Sequence, residues 1–221
     1  MQKRNFLSAT LGVVAALLIT ASPVQAQLAA RRDYVKIDPP QPTENAAKIE
    51  VVEFFSYGCP HCADFHPLIS QWASKLPPDV VFKRVPVSFG RSQWGNIGKL
   101  YYAAEAIGEL GRLDGAAFHA IHQKNVKLYD DATIIEWAAQ QGVDSRKFSE
   151  AYNSFGVQSK MKRADQMTQA YKVQGVPAIA VDGRYMVLNE GVKGYEDLLA
   201  RADKVIGMVR RQLVSEWLAH H

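Results

Sequence analysis

The sequence predicts an α/β fold with an inserted helical subdomain. Three observations carry this. Lys48 to Val87 reads as strand, amphipathic helix and strand, a βαβ unit. Gly90 to Gly156 holds several helical stretches and no convincing strand. After Gly175 the chain returns to two short apolar runs separated by Asp182-Gly183, a hairpin signal, and then to a long final helix. The α/β part is therefore expected over 48–89 and 157–218, with 90–156 inserted into it.

The elements follow in order. Lys3 and Arg4 precede an apolar stretch from Leu11 to Ile19, too short to span a bilayer, and Val24-Gln25-Ala26 offers small residues for cleavage. Residues 1–26 thus read as a secretory signal peptide, rather than an uncleaved anchor. Its removal takes away Lys3 and Arg4 and no acid, so the net charge of +4 becomes +2. Residues 27–47 are a leader, with a short edge strand expected from Asp33 to Ile37 before Asp38-Pro39-Pro40-Gln41-Pro42, which suits neither helix nor central strand.

Ile49, Val51, Val52, Phe54 and Phe55 form a near-continuous apolar run, as in a strand covered on both faces. The next helix starts at Pro60 and carries Phe65, Leu68, Ile69, Trp72 and Leu76 at helical spacing. Pro67 removes one N–H inside it, where a kink is expected, and Pro77-Pro78 ends it. Val80 to Val87 is the second strand.

In the insertion, helices are expected over 97–107, 116–126, 132–140 and 145–155, with Asp131 and Asp144 as caps. Val157 to Lys172 is a further helix. Strands are expected from Gly175 to Val181 and from Arg184 to Leu188, and a helix from Tyr195 to Leu218.

With 48% hydrophobic and 22% charged residues, the composition is that of an ordinary globular chain. Basic residues are dispersed, with doublets such as Lys83-Arg84 and Arg210-Arg211 but no longer run, which reads as a solvated surface. Nothing here favours nucleic acid as a partner. Tyr57, Phe65, Trp72, Trp94, Tyr101, Tyr102, Phe118 and Trp137 are expected mostly in the core.

The only two cysteines, Cys59 and Cys62, flank Pro60-His61 at the start of the first long helix. Proline suits the first helical position, which makes Cys59 the N-cap and puts Cys62 on the same face. Residues so placed can meet disulfide geometry. The helix dipole favours a thiolate at Cys59, yet it supplies only about 0.3–1 kcal/mol, up to ~2. One pKa unit is about 1.4 kcal/mol, so a larger effect needs further donors, and His61 is the best-placed candidate. Cys-x-x-Cys-x-x-x-His with His66 invites a zinc reading, but a structural zinc wants four ligands and there is no second cysteine pair. His66 reads as an exposed helix histidine, and no metal is expected. Glu53, on the strand face of Val51 and Phe55, is the odd residue in an apolar run; burial there would raise its pKa.

Glu53-Phe54-Phe55-Ser56 before Cys59-Pro60-His61-Cys62, together with Gly175-Val176-Pro177-Ala178 before a hairpin, resembles the thioredoxin superfamily. More narrowly, the chain is similar to the DsbA-type disulfide oxidases of bacterial periplasms. The resemblance implies a thioredoxin-like fold and a redox-active Cys59–Cys62 disulfide tuned by Pro60 and His61. It implies that Glu53 lies beneath the site and assists proton transfer at Cys62. It implies a cis peptide before Pro177 that sets this loop against the cysteines, with the Val176 backbone open to substrate. The implied partners are unfolded exported polypeptides with free thiols and a DsbB-type quinone-linked membrane oxidase. No small-molecule cofactor is needed, and a periplasmic monomer is expected. The competing readings are a disulfide isomerase or reductase, a polypeptide-binding chaperone with a structural disulfide, and a periplasmic metal carrier.

Overall fold

A computed structural model describes residues 33–219 of the 221-residue chain. The signal-peptide reading of residues 1–26 lies outside them. Along the chain the elements are β1 Tyr34–Lys36, β2 Ile49–Phe55, α1 Pro60–Ala73, β3 Val80–Pro86, α2 Ser92–Ala106, α3 Leu110–His122, α4 Asp131–Gln140, α5 Ser145–Tyr152, α6 Phe155–Ala170, β4 Ala178–Val181, β5 Tyr185–Val187 and α7 Tyr195–Ala219. The strands form one sheet in the order β1-β5-β4-β2-β3, with only β2 and β3 parallel.

All seven residues of β2 are buried, because helices cover both faces of the sheet around it. Ile49 and Val51 pack with Phe65 and Ile69 of α1 and with Leu198, Ala202, Val205 and Val209 of α7. Val52 and Phe54 point the other way, into a larger core with Leu100 and Ala103 of α2 and Met161 and Ala164 of α6. The alternation places Glu53 on the α1 side of the sheet. At Asp182-Gly183 both residues have positive φ, 56° and 62°. That is the twist a two-residue hairpin needs, and a Cβ on Gly183 would run into the Gln41 carbonyl oxygen.

The helix boundaries shift from expectation by a few residues, most at α3, which starts at Leu110 and not at Ala116. α1 continues through Pro67 as one helix to Ala73. One cap moves: the Asp130 side chain, not that of Asp131, accepts the Thr133 N–H and caps α4. Asp131 is the first helical residue and instead binds the Lys99 ammonium and the Tyr152 hydroxyl, tying α4 to α2 and α5. Asp144 caps α5 as expected.

The Lys83-Arg84 doublet is not surface charge. Lys83 pairs with buried Glu50 at 2.8 Å, and the Arg84 side chain is only 9% exposed.

Candidate active site

The cysteines lie where β2 gives way to α1. Ser56 shapes the turn: its carbonyl accepts the Cys59 N–H and its hydroxyl accepts the Gly58 N–H. Gly58 is tight against Trp94 of α2, whose Nε1 would lie 2.7 Å from an added Cβ. Cys59 is the N-cap of α1 in an extended conformation, and Pro60 opens the helix. Both cysteines are free thiols, Cys59 6% and Cys62 0% exposed. The Val176–Pro177 peptide is cis, and the Val176 carbonyl oxygen lies 3.3 Å from the Cys59 sulfur. The thiol donates to that carbonyl; the thiolate cannot. His61 is exposed, and its carbonyl accepts the Tyr195 hydroxyl of α7.

The two sulfurs are electrostatically unequal. The thiol of Cys62 donates to Cys59 and is the largest influence drawing the Cys59 pKa down to about 6; burial opposes it, and the N–H groups of Cys62 and His61 and the His61 charge add to it. Against an ordinary thiol near 8.5, that is on the order of 3 kcal/mol, more than a helix dipole supplies. The His61 backbone N–H and then its charge act in the same direction, after the Cys62 thiol. The Cys62 pKa moves far up, first because its proton is held by Cys59, then through burial and the negative charges of Cys59 and Glu53.

One prediction is direct. Alkylation of Cys59 in the reduced protein is expected to rise with pH through a midpoint of about 6 while Cys62 stays unreactive, read by peptide mass spectrometry. Because the folded value lies below the unfolded one, the stabilisation from this thiolate is complete above about pH 8.5 and lost as pH falls through about 6. A midpoint in the ordinary thiol range would contradict the geometry.

Glu53 is fully buried, and burial first of all raises its pKa, with Arg84 opposing. The residue the sequence reading missed is its partner. Arg84 on β3 is in register with Glu53 and donates through Nε to Glu53 Oε2 at 2.6 Å. Through Nη1 it donates to both oxygens of Asp114 on α3, at 2.9 and 2.7 Å. Its guanidinium lies 3.8 Å from the centre of the Phe55 ring. Asp114 also accepts the Tyr57 hydroxyl at 2.6 Å.

His66 corrects another expectation. It is covered by α3, its Nε2 3.5 Å from Asp114 and its ring 4.9 Å from that of Phe118. Burial lowers its pKa. Between α1 and α3, His66, His119 and His122 line a cavity of about 460 Å³ that reaches Pro60 and Ala63. His122 Nε2 lies 2.7 Å from the Tyr57 carbonyl and steadies the turn before Cys59.

An α/β sheet, an unequal cysteine pair at a helix start and a cis-proline loop against the first sulfur define a thioredoxin-fold disulfide oxidoreductase. Comparison with known proteins narrows the class. Residues 50–200 match the sequence profile of the DSBA-like thioredoxin domain, and the chain belongs to that family. It is 44% identical over 173 residues to the thiol:disulfide interchange protein DsbA of Bordetella parapertussis, covering 78% of this chain and 81% of that one. It is 40% identical over 177 residues to that of Pseudomonas aeruginosa, covering 80% and 83%. The crystal structure of Pseudomonas aeruginosa DsbA superposes with a TM-score of 0.79 at 38% identity, over 83% of this chain and 95% of that one. The chain is a protein disulfide oxidoreductase. Among the described residues no helix is long and apolar enough to cross a membrane.

Proposed function

We propose that this chain is exported to the periplasm, where as a monomer it donates its Cys59–Cys62 disulfide to newly exported, unfolded polypeptides with free thiols. The observation that carries this is the inequality of the two sulfurs. A thiolate held down at Cys59 favours the reduced pair, and a favoured reduced form makes the disulfide a strong oxidant. The thioredoxin-like unit is taken as 48–89 with 157–218, and 90–156 as its helical insertion.

In the cycle, a substrate thiolate attacks Cys59 Sγ. The Cys59–Cys62 bond breaks, and Cys62 leaves as a thiolate that takes up a proton. A second substrate thiolate attacks the substrate sulfur of the mixed disulfide, and Cys59 leaves. The substrate is oxidised by two electrons, and both cysteines are reduced. Cys59 leaves well because its thiolate is stabilised. Pro60 and the His61 N–H shape that environment, and Glu53, buried on the α1 side, supplies the proton for Cys62. The substrate strand lies along Val176 and Pro177 and uses the Val176 backbone for strand-like hydrogen bonds, taking over the carbonyl that faces Cys59. A DsbB-type quinone-linked membrane oxidase then restores the disulfide.

The test is the reduction potential of the couple in glutathione buffers, with free thiols trapped and counted. A value more oxidising than about −180 mV is expected. A value near about −270 mV would place the chain with the reductases and end the donor reading.

A further inference from the structure

Asp114 belongs to neither the sheet nor α1. It reaches the site from α3, and it holds the same guanidinium that holds Glu53. The trio contains one fixed positive charge and two carboxyls. With Asp114 ionised and Glu53 protonated, it is neutral; with both ionised, it carries a net negative charge in a place where Glu53 is 0% and Arg84 9% exposed. Asp114 is 17% exposed and also accepts the Tyr57 hydroxyl and faces His66, whereas among the described residues Glu53 meets only Arg84. Glu53 Oε1 is buried with no hydrogen-bond partner among the described residues, which leaves it free to carry the proton.

We propose that Asp114 is a positioning residue for disulfide exchange: by claiming the Nη1 arm of Arg84, it leaves Glu53 as the neutral, proton-holding member of the trio and so able to protonate Cys62 as that sulfur departs. The proposal rests on the reading that Cys62 leaves as a thiolate. The step balances: the Cys59–Cys62 bond breaks, the Cys59–substrate bond forms, and the proton passes from Glu53 to Cys62. The proton on Glu53 is renewed from solvent between cycles.

Titratable and charged groups reach the trio from every side. Tyr57 follows β2, His66 and Cys62 come from α1, and Tyr101 comes from α2. Of these, Tyr57 and Tyr101 are held neutral chiefly by burial. Burial also disfavours charge on His66. Asp114 is thus the anion that competes with Glu53 for Arg84, and its charge acts on Glu53 in the upward direction.

The experiment is a carbon-13 carboxyl NMR titration of Glu53 in the full, reduced protein, beside the pH dependence of single-turnover oxidation of a dithiol peptide by the oxidised form. D114N removes the negative charge that acts upward on Glu53, whose midpoint is expected to fall. The rate profile is expected to move with it. D114A, which removes the carboxylate without adding an amide, should do the same, and D114E should restore the parent profile. In an E53Q background D114N should leave the profile where E53Q put it. A Glu53 midpoint unchanged in both D114N and D114A overturns the proposal, as does a D114N profile shift that persists without Glu53. The NMR midpoint requires no turnover, so it reads the trio even if the donor reading fails.

Discussion

Replacing Cys59 with serine is expected to reduce peptide dithiol oxidation to the background of the buffer while leaving the fold intact. Cys59 supplies the sulfur that faces Val176, and no other cysteine exists outside the pair. A serine hydroxyl keeps the size of the side chain but forms no disulfide, so no redox couple remains. Circular dichroism should match the parent, because Cys59 caps α1 through its backbone alone, with no side-chain cap bond. Substitution at Cys62 separates two of its roles. Cys62→Ser and Cys62→Ala both remove the resolving sulfur, and both should accumulate mixed disulfides with substrate on Cys59. They differ in what they do to Cys59 itself. The Cys62 thiol is the leading cause of the low Cys59 pKa. Alanine removes that donor and should raise the midpoint above about 6; serine retains an O–H and should raise it less. A chaperone with a structural disulfide would keep its client-holding activity in Cys59→Ser, and dithiol oxidation that survived this substitution would remove the cysteine pair from the mechanism.

The parts legible in the sequence are those decided by local chemistry. Pro60 after Cys59 fixes a helix start, Asp182-Gly183 fixes a hairpin, and the unbroken apolar run of β2 fixes a strand covered on both faces; each needs only its own neighbours. Asp130 and Asp131 show the limit of that reasoning. Either can cap a helix, and the choice is made by Lys99 and Tyr152, which claim Asp131 from other elements. Arg84 was half legible. It is a cation inside an apolar strand, as Glu53 is an anion inside another, and each stands four residues after its strand begins. Parallel pairing puts like offsets side by side, so the two oddities explain each other once β2 and β3 are paired in register. Asp114 and His66 were not legible, because both depend on how α3 docks on α1, a contact between side chains far apart in sequence. Helical spacing alone places His66 at the surface.

Arg84→Met is expected to cost about 3–5 kcal/mol of stability at neutral pH, the range for breaking a buried pair by removing one partner. Methionine keeps an unbranched apolar stem but loses the guanidinium that lies over the Phe55 ring, so the loss is mainly electrostatic. Glu53 is then left 0% exposed with no cation, and Asp114 loses both bonds to Nη1. The sign of the pH dependence follows. Glu53 already has a folded pKa above its ordinary value, and removing Arg84, which lowers it, raises it further. A carboxyl whose folded pKa exceeds its unfolded one costs nothing below the unfolded value of about 4.3. The cost grows as pH rises from there to the folded pKa. The stability of Arg84→Met should therefore rise as pH is lowered from 7 toward about 4.3. Urea unfolding of the reduced protein at both ends of that interval measures it, with the parent run alongside to remove the contribution of Cys59. Adding Glu53→Gln should recover part of the loss at neutral pH, since a glutamine does not have to take up a proton on folding above the unfolded carboxylate value. The double substitution should then be far less sensitive to pH over the same range. A loss under about 1 kcal/mol at pH 7, the worth of an exposed pair, would mean that water reaches Glu53 and that the trio does not organise the ground beneath Cys62.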